Sequence, residues 1–461
     1  MNPRKILFAT VPADGHFNPL TGLAKHLQAL GHDVRWYIGG HYLEKARKLG
    51  IPVFPYRTAQ VVNQENLEEL FPVRNQIKGR LARLRFDLNH VFLHRAPEYV
   101  ADLTEIHQSF PFDLLVCDAL FSAAPVIKQL LQVPVATVGI VPLAESSRDL
   151  PPTGMGMIPA RGFWGRRKQD ALRYLTQHIL LKPCTDLYNK LLKQYGLRPS
   201  KELVFDTLIR SADVYLQSGV PGFEYARTDV SPNVRFVGPL LPCTKAARHR
   251  FPHYGKLNQY RNVVLVTQGT VERDPEKLLV PTLEAFKDSD TLVIATTGGS
   301  QTEALRTRFP QSNLIIEDFV NFTEIMPFCD VFVTNGGYGG VMLSIQNGLP
   351  IVAGGIHEGK SEITSRIGYF KLGVNLKTET PSPEQIRASV REVLRNAIYR
   401  RSVAKLRAEF DEYRPNDLCE QYLSEILGES LRPAFVTQPV TTRPITAQPI
   451  EARQTADTLL V

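Results

Sequence analysis

The sequence predicts an α/β protein built from two doubly wound, parallel-sheet domains. Three observations carry that expectation. Short apolar runs of strand length alternate with amphipathic helical runs through most of the 461 residues, the rhythm of βαβ crossovers. Glycines such as Gly31 and Gly50 stand where left-handed helix caps belong. A stretch rich in Pro, Gly and charge, "GPLLPCTKAARHRFPHYGKLNQY" (238–260), breaks the rhythm near the middle of a chain too long for one core.

The elements follow in order. "KILFATV" reads as a strand, "NPLTGLAKHLQALG" as a helix, "DVRWYIG" as a strand and "YLEKARKLG" as a helix. "DLLVCD", a helix over "AAPVIKQLLQ" and the strand "PVATVGIV" continue the first domain, expected over residues 1–240. A linker over 241–260 precedes the second domain, 261–410. Its strands are "NVVLVTQG", "TLVIATT", "NLIIED", "VFVTNGG", "LPIVAGG" and "LGVNLKT", with a helix over "PEKLLVPTLEAFKD" among those between them. "SPEQIRASVREVLRN" and "YRRSVAKLRAEFDEY" read as helices, a C-terminal helix is expected over 411–430, and 431–461 is Pro/Thr/Gln-rich and expected to be disordered.

Composition narrows the class. With 43% hydrophobic and 22% charged residues the chain is an ordinary globular protein, and no apolar run approaches the roughly 20 residues a membrane-spanning helix needs. Met1-Asn2-Pro3 leads into the first strand without a signal-peptide pattern, which predicts the cytoplasm. Five scattered cysteines, Cys117, Cys184, Cys243, Cys329 and Cys419, without C-x-x-C spacing, argue for reduced, mostly buried thiols and against a disulfide framework or a zinc site. The formal charge of +8 is dispersed, dense only in "RLARLRF" (80–86) and "RGFWGRRK" (161–168). A solvated basic face, or modest attraction for an anionic substrate, fits that pattern better than nucleic-acid binding.

Two stretches hold chemistry. In "TVPADGHFNPLTGLAKHL" a strand ends in a Gly-containing turn, placing His16 outside the carboxyl end of a strand, where open α/β sheets bind ligands. Histidine can accept a proton near neutrality; a lone one in a turn is more often inconsequential. Asp118, ending "DLLVCD", lies at the same edge and could orient His16, or could simply cap the next helix. In "DVFVTNGGYGGVMLSIQNGLP" a strand runs through Asn335 and a Gly-rich loop into a helix expected to begin near Val341, leaving N–H groups suited to a diphosphate, although such turns also arise for steric reasons.

These stretches, "GHFNPLTGLAKHLQALGHDV" and "DFVNFTEIMPFCDVFVTNGGYGGVMLSIQNGLPIV", resemble the N-terminal and donor-binding signatures of the nucleotide-sugar-dependent glycosyltransferases of the macrolide, flavonoid and plant secondary-product type, the UDP-glycosyltransferase family. The resemblance spans about residues 3–428 and implies a GT-B fold, two Rossmann-like domains facing across a cleft, with acceptor held mainly by the first and nucleotide sugar by the second. His16 resembles the catalytic base and Asp118 its charge partner. Thr270 matches a hydroxyl residue near the diphosphate, Phe319 an aromatic that stacks on the uracil, and Val320 a backbone reader of its edge. Asn335 replaces a histidine at the diphosphate, and Gly337, Tyr338, Gly339 and Gly340 fall on the phosphate-cradling loop. Leu343 occupies the position of a ribose-binding glutamate. Gly359 and Lys360 fall on the sugar-gripping acid and glutamine, which makes Glu358 and Lys360 candidates there.

"GGIHEGKS" also matches a Walker A spacing, G-x-x-x-x-G-K-[ST]. A genuine P-loop opens its domain and is followed by several strands, whereas only "LGVNLKT" follows here, so the match is read as coincidental. The expected function is inverting transfer of a hexose, glucose first, from a UDP-sugar to a hydroxyl of a small apolar or aromatic acceptor, with no metal and no cofactor. Residues 61–95 and 145–165, with their Met, Phe, Trp and Pro, are expected to line the acceptor pocket. The alternatives are a P-loop-like ATPase, a sugar-nucleotide epimerase or hydrolase, and a non-catalytic partner protein.

Overall fold

The strand segments are almost continuously aliphatic because helices cover both faces of each sheet. The computed structural model describes residues 3–63, 65–243, 251–269, 272–357 and 359–428. Seven strands form the first sheet: β1 (Lys5–Ala9), β2 (Asp33–Ile38), β3 (Val53–Pro55), β4 (Leu114–Asp118), β5 (Val135–Gly139), β6 (Val214–Ser218) and β7 (Val234–Gly238). Six form the second: β8 (Asn262–Thr267), β9 (Thr291–Thr296), β10 (Leu314–Glu317), β11 (Val331–Thr334), β12 (Ile351–Ala353) and β13 (Gly373–Asn375). The orders are β3-β2-β1-β4-β5-β6-β7 and β10-β9-β8-β11-β12-β13, with every strand pairing parallel. Both sheets are thus doubly wound, with the winding reversing between β1 and β4 and between β8 and β11. Such reversals open a crevice at the carboxyl ends of the strands.

Successive strand residues point into opposite layers. Leu7, Tyr37, Leu115 and Cys117 pack against Val100 and Phe121 on one side of the first sheet. Ile6, Phe8, Trp36 and Val116 pack against Phe17, Leu20 and Leu23 on the other. In the second sheet Val264, Val266 and Val293 face one layer and Val263, Leu265 and Ile294 the other.

Four details depart from the sequence reading. The helix expected from Asn18 begins four residues earlier, as Asp14–Ala29, with Pro19 inside it. Burial of Phe17 against Trp36, with ring centroids 4.5 Å apart, holds this first turn despite the turn-forming Asp-Gly pair and the proline. The glycine-rich run also enters its helix early, Tyr338–Gln346 rather than from Val341. Within the expected linker, Phe251 and Leu257 are already buried in the second sheet's layer. The C-terminal helix forms over Pro415–Ile426 and returns to the first sheet, where Cys419 and Leu423 join Phe8 and Leu23. The expected tail, 431–461, lies outside the described residues. No described helix is long and apolar enough to cross a membrane.

Candidate active site

β1 and the loop after it bring His16 into the first turn of its helix, and β4 ends on Asp118 beside it, at the reversal of the first sheet. His16 Nδ1 lies 2.8 Å from Asp118 Oδ1. The carboxylate is fully buried and accepts two backbone N–H bonds as well, from Val11 at 2.9 Å and from Leu120 at 2.9 Å. A carboxylate so placed assigns the imidazole proton to Nδ1 and leaves Nε2 as the acceptor, the arrangement a general base requires. Phe92, from the segment 61–95, stacks on the His16 ring at 5.9 Å between centroids. The helix-cap reading of Asp118 is displaced, because the helix Ala124–Leu131 is preceded by Ala123 and carries no side-chain cap.

The second sheet presents the opposing wall. β11 is followed by Asn335, whose side-chain amide donates to the Gln268 carbonyl after β8, tying the two loops at that sheet's reversal. Gly337 precedes the helix Tyr338–Gln346, which has no side-chain cap. The first-turn N–H groups of Tyr338, Gly339 and Gly340 therefore have no partner within the helix, and a positive helix end faces the crevice. Tyr338 supplies backbone only, since its hydroxyl donates to the Ser218 carbonyl at 2.7 Å and its ring packs near Phe223.

Lys360 opens the helix Lys360–Tyr369, and its stem lies beside Gly355 and Gly336. Gly355 has to be glycine: a Cβ there would stand 1.8 Å from the Asn335 carbonyl oxygen. Phe319 is 68% exposed and lies against Gly299, which lines a cavity of about 260 Å³. Asp14, Tyr42 and Glu65 line that cavity from the first sheet's side, and Arg273, Thr297 and Gly299 from the second's. Val320 and Leu343, both partly buried, pack against the layer that holds Ile325 and Phe332. Thr270 and Glu358 lie outside the described residues. Among the described residues, no three His, Cys, Asp or Glu side chains are grouped to hold a metal ion.

Comparison with known proteins assigns the family. Residues 281–422 match the erythromycin biosynthesis protein CIII-like C-terminal domain. The chain is 34% identical over 413 residues to 4'-demethylrebeccamycin synthase of Lentzea aerocolonigenes, covering 90% of this chain and 96% of that one. It is 32% identical over 442 residues to UDP-glucosyltransferase 1 of Beauveria bassiana, covering 90% and 94%. The chain belongs to the UDP-glycosyltransferase family. Its fold is GT-B, shared with the calicheamicin glycosyltransferase CalG4 at a TM-score of 0.72 and 19% identity over 93% of this chain and 99% of that one.

As a UDP-glycosyltransferase of the macrolide type, the chain is an enzyme of glycosyl transfer. After the Walker A spacing only β13 follows β12, at the sheet edge, and the Lys360 stem lies beside Gly336 and Gly355. Several structural residues escaped the sequence reading. Arg366 is buried and pairs with Glu224 at 2.8 Å and Glu362 at 3.1 Å. Glu362 also accepts the N–H of Gly154 at 3.0 Å and of Gly156 at 2.8 Å, fastening the acceptor-side loop to the donor-side helix. Apart from the Arg366–Glu362 pair, one helical turn apart, no local pattern marks these contacts, which join positions more than 140 residues apart. The segment 145–165, expected to line the acceptor pocket, is mixed in burial. Glu145 is buried in a pair with Arg227, while Phe163 and Trp164 are exposed.

Proposed function

We propose that this UDP-glycosyltransferase moves a hexose, glucose first, from UDP to a hydroxyl of a small apolar or aromatic acceptor, with inversion and without a metal. The 2.8 Å contact between His16 and Asp118 at the crevice is the observation that carries the reading. His16 Nε2 takes the proton of the acceptor hydroxyl as its oxygen forms a bond to the anomeric carbon. The bond to the diphosphate oxygen breaks on the opposite face, so a single displacement inverts the centre. Asp118 stabilises the imidazolium that results. The N–H groups of Tyr338, Gly339 and Gly340 and the nearby Lys360 meet the charge that develops on the departing diphosphate. Phe319 offers a stacking face for the base, and Phe92 beside His16 gives the acceptor side an aromatic wall.

The donor favours uridine by relationship, since the Beauveria bassiana relative is named a UDP-glucosyltransferase. Structural neighbours include the glycosyltransferase VinC in complex with dTDP, and Leu343 offers no carboxylate to a ribose 2′-hydroxyl. Good tolerance of dTDP-sugars is therefore part of the reading. The test is a mass-spectrometric screen of UDP- and dTDP-sugars against aromatic and macrocyclic alcohols, with chelator present throughout. Donor consumption without acceptor glycosylation would assign hydrolysis or epimerisation instead, and dependence on added divalent cation would overturn the metal-free mechanism.

A further inference from the structure

The helix Phe163–Leu175 buries a glutamine, Gln169, and exposes its aromatics together with its basic residues. Two polar residues face the protein: Gln169, 4% exposed, donates to the Asp149 carbonyl at 3.0 Å and accepts from the Ala160 N–H at 3.0 Å, and Arg173 donates to the Leu150 carbonyl at 2.8 Å. Its large apolar residues face water. Trp164 is 82% and Phe163 62% exposed, joined by Tyr174 and Leu175 on the helix and by Ile158 and Ile179 beside it. Phe163, Arg167 and Tyr174 fall on one row, and Trp164, Lys168 and Leu175 on the next, at spacings of four and seven. Burial of polar groups with exposure of aromatics marks a surface made to be covered.

Charge selects the cover. Residues 158–180 contain Arg161, Arg166, Arg167, Lys168 and Arg173 against a single acid, Asp170, and that acid is paired with Arg173 at 2.6 Å. The unpaired excess lies on the exposed side with the aromatics, Arg167 resting 5.3 Å from the Phe163 ring centroid. A second copy would set like charge against like across a two-fold axis. Aromatic side chains that sit at the water–lipid boundary, interleaved with cations that meet anionic headgroups, are the composition of an interfacial membrane helix.

We propose that this face docks the enzyme on anionic lipid surfaces, with Phe163 and Trp164 entering the headgroup layer and Arg161, Arg166, Arg167 and Lys168 meeting the phosphates. The docked helix is bonded directly to the loop carrying Asp149, Leu150 and Ala160, so the acceptor side of the crevice is brought to the membrane, where apolar alcohols partition. Binding itself does not depend on the proposed reaction, and His16→Ala is expected to dock as the wild type does.

The chain provides its own probe, because of its two tryptophans Trp36 is buried and Trp164 exposed. Full-length protein is titrated with phosphatidylcholine vesicles, with and without phosphatidylglycerol, while emission is followed and bound protein is sedimented. The expected result is a blue shift and co-sedimentation with phosphatidylglycerol vesicles only, weakened by salt. Phe163→Ser/Trp164→Ser is followed by sedimentation alone, and Arg166→Gln/Arg167→Gln/Lys168→Gln by both readouts; each is expected to bind at least about tenfold more weakly at unchanged melting temperature. No binding to phosphatidylglycerol vesicles, equal binding by both variants, or a concentration-dependent dimer abolished by Phe163→Ser/Trp164→Ser would overturn it, the last assigning the face to a protein partner.

Discussion

His16 and Asp118, 102 residues apart in the chain, meet through a 2.8 Å contact at the one place where the first sheet reverses its winding. The contact fixes which imidazole nitrogen is left to take a proton. His16→Ala is expected to lower turnover at least about a hundredfold, the low end of a general-base contribution, with donor affinity little changed. Asp118→Asn should impair turnover less, and its cost should also appear in the melting temperature, because an amide oxygen replaces a carboxylate that accepts three N–H bonds. Turnover and calorimetric donor binding on both variants check this; wild-type turnover by a folded His16→Ala protein would remove the histidine from the mechanism.

Leu343 is partly buried against the layer of Ile325 and Phe332, where Val320 also packs. A glutamate there would offer a charge-assisted bond to a ribose hydroxyl, worth roughly 1.5–3 kcal/mol. Leu343→Glu is expected to raise the preference for UDP over dTDP by about tenfold or more, which 1.4 kcal/mol supplies. Titration calorimetry with both nucleotides on both proteins decides it. An unchanged ratio would show that this position does not face the ribose.

Arg366 lies between Glu224 and Glu362 with 3% of its side chain exposed, and the paired carboxylates hold its guanidinium charged well beyond the ordinary arginine range against the desolvation that opposes it. Removing one partner strands buried charge, at a cost of roughly 3–5 kcal/mol. Arg366→Ala should lower the melting temperature by several degrees and loosen the loop around Gly154 and Gly156, seen as faster proteolysis there. Gly156 would itself resist replacement, because at φ +63° a Cβ would stand 2.5 Å from that of Ser361. A melting point within a degree of wild type would contradict the role given to Arg366.

Four of the five thiols are buried and Cys243 is not. Burial pushes the Cys184 thiol up to about 11 and raises Cys117, Cys329 and Cys419 further. Both effects suppress thiolate attack. At pH 8 a disulfide reagent should titrate one thiol promptly in the native enzyme, at Cys243, and five after denaturation. Prompt reaction of two or more native thiols would contradict the packing around the buried ones.

The strand-rich rhythm was legible because a parallel sheet covered on both faces writes itself as unbroken aliphatic runs, as in "NVVLVT" and "TLVIAT". β3, β6 and β7 are not legible, because β3 ends in Pro55 and β6 and β7 are interrupted by Gln217 and Arg235. His16, Asp118 and Asn335 could be placed from sequence because each ends or follows a strand, and strand ends at a sheet reversal are where a crevice forms. The chain by itself thus determined the two winding rhythms and the family signatures, since local periodicity and spacing are properties of neighbours in sequence. Only the tertiary structure decided that Tyr338 serves packing through Ser218, that Glu362 fastens the acceptor loop, and that Pro415–Ile426 returns to the first sheet. It alone decided, too, that Phe163 and Trp164 face water while Gln169 is buried. Each depends on contacts across long stretches of chain, where packing and solvation outweigh local preference.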